Sequence, residues 1–306
     1  MSIIIGVMEE GLIYAIMALG LYITYKILDF PDLSVDGTFP MGAAVTAMLI
    51  LKGVHPVLTL VLSFAAGLLA GCITGLIHVK LKVRDLLSGI IMMTALYSIN
   101  LRIAGKANLP IFSKETIFEN TFLDAAVPEA LDPYLVCIIL FVIVLFCKIL
   151  LDLFLKTRAG YLLRAVGDNE VLVTSLAKDK GMVKILGLAL ANGFVALAGC
   201  VYCQQKGFFE ISIGTGTMVI GLANVIIGTQ LLKRVGFIRS TTAVIIGSIV
   251  YKACVSIALL LNDLHIAGLD LSIPVTASDL KLITSVLFLI ILVVSPSGGK
   301  KVKSHA

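Results

Sequence analysis

The sequence predicts an all-α fold, a polytopic bundle of transmembrane helices, and three observations lead there. The 306 residues are 59% hydrophobic and only 14% charged, with a mean hydropathy of +1.06. A soluble chain needs far more polar surface to cover its core. The apolar residues fall in repeated blocks of roughly 20, the length that carries a helix across a hydrocarbon layer while it satisfies its own backbone. Lys and Arg are concentrated in alternate connections between those blocks, as the positive-inside rule requires.

Nine spans follow, at about 5–25, 38–51, 57–79, 86–104, 134–154, 185–202, 217–232, 240–261 and 281–295. The second and seventh are short, and each follows a polar, glycine-containing stretch. Both read as broken helices completed by irregular backbone. The tail carries Lys300, Lys301 and Lys303 and is placed in the cytoplasm. Counting back, the cytoplasmic segments 26–37, 80–85, 155–184, 233–239 and 296–306 hold 16 of the 24 Lys and Arg. The N-terminus is then outside. Lys148 and Lys252 fall within spans near helix ends, where their stems can snorkel. The outer segment 105–133, with Glu115, Glu119, Asp124, Glu129 and Asp132, reads either as a solvated connection or as part of a surface receiving a solute-binding protein.

The net charge of +5 is distributed between apolar blocks and makes no basic stripe, which argues against nucleic acid. Cys200 and Cys203 form a lone C-x-x-C inside an apolar block and read as helix packing. The histidines, His55, His78, His265 and His305, are scattered, and none is assigned to a metal. The first block lacks the basic flank and cleavage site of a signal peptide.

Gly37-Thr38 with Gly42 and Gly216-Thr217 with Gly221 share the pattern G-T-x-x-x-G. Each opens the second helix of a four-span group, about 5–104 and 185–295, and the single span 134–154 joins the groups. One linking span inverts the second group, the plan of many transporters. Gly37, Gly42, Gly216 and Gly221 are thus assigned to close helix packing. Ser34, Asp36, Thr38, Asn100, Asn192, Thr217 and Asn224 are the polar groups available to line a pathway, although each type also serves as an interhelical hydrogen-bonding residue.

The segment 155–184 is the longest cytoplasmic loop. Small and charged residues alternate along it, and Gly167-Asp168-Asn169 is suited to end one short helix and cap a second that runs to Gly181. Thr157, Gly160, Arg164, Ala165, Val166, Gly167 and Asn169 spell T-x-x-G-x-x-x-R-A-V-G-x-N. That string resembles the cytoplasmic coupling loop of the branched-chain amino-acid and ribose-type permeases of ABC importers, with Lys180 and Gly181 continuing it. Asp32-Leu33-Ser34-Val35 and Gly42-Ala43 resemble the D-L-S-V…G-A segment of the same permeases. The wider string DLSVDGTFPMGAAV resembles a sub-branch assigned to tryptophan or other amino-acid-like solutes. The resemblance covers about residues 10–295, with departures at Val171-Leu172-Val173 and Gly181-Met182.

It implies one permease domain over 1–306 that dimerises, docks a separate ATP-binding-cassette ATPase through 155–184, and receives solute from an extracytoplasmic binding protein at a bacterial inner membrane. ATP and Mg would be bound by that ATPase, because the chain has no phosphate loop. It also lacks any H-E-x-x-H, G-x-S-x-G or paired-carboxylate pattern within its spans, so no catalytic residue is assigned. The competing readings are a stand-alone secondary carrier with inverted repeats and a membrane enzyme acting on lipid.

Overall fold

The computed structural model describes residues 2–120, 132–169, 173, 179–232, 239–262, 285, 286 and 289. The chain begins with α1 (Ser2–Leu21), which runs on into a π-helical turn, Tyr22–Ile27. α2 (Val35–Leu51), α3 (Pro56–Lys80) and α4 (Asp85–Ala104) follow. A short strand β1 (Asn108–Pro110) precedes α5 (Asp132–Leu155), the short α6 (Arg158–Asp168) and the long α7 (Lys180–Lys206). Strand β2 (Phe208–Glu210), a 3-10 turn (Ile211–Gly214), α8 (Thr217–Leu231) and α9 (Ser240–Asn262) complete the described chain.

Seven helical stretches among the described residues are long and apolar enough to cross a membrane. α2 is apolar but shorter, at 17 residues. The protein is a multi-pass helical membrane protein. The expected ninth span, 281–295, and the tail with its three lysines lie outside the described residues, apart from single helical positions at 285, 286 and 289.

α7 is the hub, and glycine places it there. Cβ atoms at Gly67 and Gly71 of α3 would run into the α7 backbone at Asn192 and Leu188. One at Gly42 of α2 would meet the carbonyl of Ala196, and one at Gly199 would meet the carbonyl of Phe39. Without a side chain at these positions, the backbones come together at a separation no other residue allows. α5 lies at the periphery, presenting Phe141, Val142, Phe146 and Leu153 outward, as a lipid-facing helix should.

At the end where α2 meets α3, β1 and β2 pair antiparallel, with Leu109 opposite Phe209. Ile117 also donates its backbone N–H to the Gln204 side chain. The first part of the 105–133 segment is therefore strapped to the bundle rather than free, with Glu115 and Glu119 left exposed. At the opposite end, α6 lies beside the π turn and the start of α7. One boundary departs from the sequence reading. Gly181 does not end a short helix; it is the second residue of α7, whose N-terminus Asp179 caps through Gly181 and Met182. A good cap draws the helix out past the apolar stretch.

Candidate translocation core and coupling helix

Between the π turn and α2 the chain re-enters the bundle as non-helical backbone. Such backbone survives at membrane depth only if protein groups satisfy it. Asp32 does part of this, accepting the Ser34 N–H at 2.9 Å, and both residues are fully buried. Asn192 of α7 completes the knot. Its amide donates to Asp32 at 2.8 Å and to the Leu188 carbonyl at 3.0 Å. Its carbonyl accepts from Ser34 at 3.2 Å and Thr38 at 2.7 Å. Every hydrogen-bonding position of the amide is used, so Asn192 ties the re-entrant segment and α2 to the hub.

α8 is likewise preceded by irregular backbone, and the two interrupted helices start side by side. Asp36, in the first turn of α2, accepts from the backbone N–H of Gly216 at 3.1 Å and of Met218 at 2.7 Å. It thus caps the other short helix rather than its own. Two helix N-termini carry partial positive charge, and one carboxylate sits between them. Pro40 makes the approach feasible: it has no N–H, so the Asp36 carbonyl lacks its intrahelical donor. Gly214 packs against that carbonyl and the Pro40 ring, in a space any side chain would fill. Gly216 does not make the close packing expected of it, since a Cβ there would meet open space; it holds φ +81°, the left-handed conformation that glycine adopts at no steric cost.

The seven polar residues singled out from the sequence thus divide into two clusters and two outliers. Ser34, Thr38 and Asn192 share one network. Asp36 meets the start of α8, where Thr217 bonds back to the Ile213 and Gly214 carbonyls. Asn100 of α4 donates to the Gly37 carbonyl, and Asn224 of α8 donates to Ser248 of α9. Both outliers are buried, and each has an amide oxygen with no partner among the described residues. Among the repeat glycines, Gly37 packs on Met93 and Leu96 of α4, and Gly221 packs on Met17 and Leu21 of α1.

Two features escaped the sequence reading. Asp32 stands in the sequence only as part of the D-L-S-V string, although it is fully buried in the core. Glu10 lies within the first span and joins three helices, pairing with Lys206 of α7 at 2.8 Å and Lys252 of α9 at 3.0 Å. Lys252 is therefore held inward, 4.3 Å from the Tyr14 ring centre, and does not snorkel. Tyr14 stacks on Phe39, which also contacts Tyr202. Lys148 also pairs, with Asp152 one turn on. The available signal was two acids, Glu9 and Glu10, in an otherwise apolar block. α4 has its own polar stripe: Thr94, Ser98 and Arg102 recur at four-residue spacing and are exposed.

α6 is amphipathic. Gly160, Leu163 and Val166 are buried, whereas Arg158, Tyr161, Arg164 and Asp168 are exposed. Thr157 caps its N-terminus through Gly160, and the helix ends at Asp168 with Asn169 in extended conformation. Gly160 faces the backbone of Phe154 and Leu155, and Gly167 faces the carbonyl of Ile27. The glycines thus seat α6 on its own bundle. Ala165 is partly buried, and Lys180 is exposed at the first position of α7.

A helical bundle with two interrupted helices meeting at its centre and an amphipathic helix across one end is the layout of a transport permease, and the comparisons agree. The chain belongs to the family of branched-chain amino acid transport system permease components, whose model matches residues 3–295. It is 44% identical over 292 residues to a tyrosine transport system permease protein of Clostridioides difficile, covering 95% of this chain and 91% of that one. It is 34% identical over 296 residues to an uncharacterized protein of Rickettsia prowazekii, covering 95% and 97%. Similarity to the ribose import permease protein of Escherichia coli is 23% over 266 residues, covering 87% and 78%. No solved structure matches the chain.

Proposed function

We propose that this permease imports an amino acid, of the aromatic class that the 44%-identical relative's name indicates, as the membrane subunit of an ABC importer. A separate ATPase docks on α6 and binds and hydrolyses ATP with Mg, and an extracytoplasmic binding protein delivers the solute. The chain itself then carries no catalytic residue and no cofactor. The observation that carries this reading is the two-sided α6. Its glycines and aliphatic residues bind it to α5 and the π turn, so the outward row of Arg158, Tyr161, Arg164 and Asp168 is left for a partner. Force applied to such a helix passes directly to α1 and α7.

An inverted repeat is supported by paired contacts. The step of 179 residues from Gly42 to Gly221 also carries Met17 to Ala196. Gly42 packs on Ala196, and Gly221 packs on Met17, so each group's second helix is wedged against the other group's first helix. In the same way α3 packs on α7, and α9 packs on α1 at Gly11–Ile249. The α6 end is taken as cytoplasmic and the β1–β2 end as external, following the positive-inside bias. The exposed Thr94, Ser98 and Arg102 stripe of α4 faces a second copy across the pathway, because lipid is a costly neighbour for that row. The buried polar residues shape this pathway and do not ligate solute in the conformation seen.

The test is uptake of radiolabelled tyrosine into liposomes holding the permease, its ATPase and its binding protein. ATP-dependent uptake is expected, and Arg164→Glu should abolish ATPase association while the permease remains inserted. Uptake by the permease alone on an ion gradient would replace this reading with a secondary carrier.

A further inference from the structure

Where α5, α6 and α9 converge with the π turn there is a cavity of about 330 Å³, lined by Tyr22, Asp152, Lys156, Arg164, Arg239 and Thr241 among others. Its charge is unbalanced. Asp152 is already matched twice, by Lys148 at 3.0 Å and Arg239 at 3.1 Å, and also accepts from Thr241 at 2.7 Å. The Lys156 and Arg164 side chains have no carboxylate partner among the described residues, so the cavity wall is cationic. The first turn of α9, at Ser240 and Thr241, adds the partial positive charge of a 23-residue helix.

We propose that this cavity binds a phosphodiester group, supplied by an anionic phospholipid, that staples α6 to α5 and α9. Phosphate suits the site because a guanidinium fork, an ammonium and a helix start converge on it from three elements. A lipid is favoured over a soluble phosphate by what lies beside it. Ile149 and Leu153, at successive positions of the α5 face that ends in Lys156, are 48% and 60% exposed and give an acyl chain an apolar track into the bilayer. Basic pockets between spanning helices at a membrane face are suited to anionic headgroups. The site stands on the cavity and its charges, whether or not an ATPase docks on α6, and it can be tested on the permease alone.

The experiment is native mass spectrometry of the full-length permease released from nanodiscs of phosphatidylcholine, with and without phosphatidylglycerol. Phosphatidylglycerol should be retained preferentially. Lys156→Gln and Arg164→Gln should each lower that retention about fivefold, as expected for one cation at a membrane surface. Lys80→Gln, an exposed cation at the same end but away from the cavity, should leave it unchanged. If a cavity variant fails to fold, a second measurement uses the wild type: inorganic phosphate should compete with phosphatidylglycerol for retention. Equal retention in wild type and both cavity variants would overturn the site. So would loss of ATPase association in those variants with lipid retention unchanged, which would give the two cations to a protein interface. Thermal stabilisation by inorganic phosphate in neutral nanodiscs, without lipid selectivity, would overturn the lipid source.

Discussion

Replacing Asp36 tests the central junction directly. In the wild type its carboxylate satisfies the Gly216 and Met218 N–H groups at 3.1 and 2.7 Å, across the gap between α2 and α8. Asp36→Ala leaves both donors unpaired in a half-buried site. Loss of a side-chain cap costs about 0.5–2 kcal/mol, and stranding a second buried donor adds about 1 kcal/mol or more. The expected loss is therefore about 1.5–3 kcal/mol. By the scaling for domains of about 150–250 residues, that lowers the melting temperature by roughly 3–12 °C. Asp36→Asn keeps one acceptor near Met218 but gives up the charge that offsets two helix N-termini, a loss of about 1 kcal/mol. Thermal unfolding in nanodiscs, with transport measured in parallel, orders the variants as wild type, Asn, Ala. If Asn proves as damaging as Ala, charge rather than capping governs the junction. If both melt like wild type while the apparent affinity for solute falls, Asp36 is a solute ligand and the capping argument is wrong.

Other substitutions probe the remaining contacts. Gly42→Leu and Gly221→Leu should both reduce the yield of folded protein, the first more severely because it meets the Ala196 backbone rather than flexible side chains; size-exclusion profiles of the detergent-solubilised variants would show this. Glu10→Gln removes the shared partner of Lys206 and Lys252. Its cost should be about 1–3 kcal/mol, below that of a broken fully buried pair because Glu10 is partly exposed, and the added change Lys252→Met should recover part of the lost melting temperature. Asn192→Leu strips donors from the buried Asp32 and acceptors from Ser34 and Thr38, and should cost more stability than Asn224→Leu, which loses one bond to Ser248. The reverse order of melting temperatures would remove Asn192 from the centre of the core.

Much of the protein could be read along the chain. Hydrophobic block length is a local property, so the spans through α9 were legible to within a few residues. So were the two short helices and the end of α6 at Asp168, because caps, glycines and apolar runs act on near neighbours. The ninth span lies outside the described residues, apart from positions 285, 286 and 289. The family was legible because the string of Thr157, Gly160, Arg164, Ala165, Val166, Gly167 and Asn169 resembles a motif of these permeases.

Pairing across the chain was another matter. Asp36 reads as a helix entrance, and only the folded protein brings it to a helix that starts 181 residues later, at Thr217. Glu10 draws no notice along the chain, and only the fold brings it a lysine from α7 and another from α9. Gly160 and Gly167 are only letters of a motif along the chain, whereas the fold turns them toward the bundle. In each case the deciding energy is a buried polar group finding its complement, or a backbone coming as close as glycine permits. These are properties of two segments at once, so neither segment carries them alone.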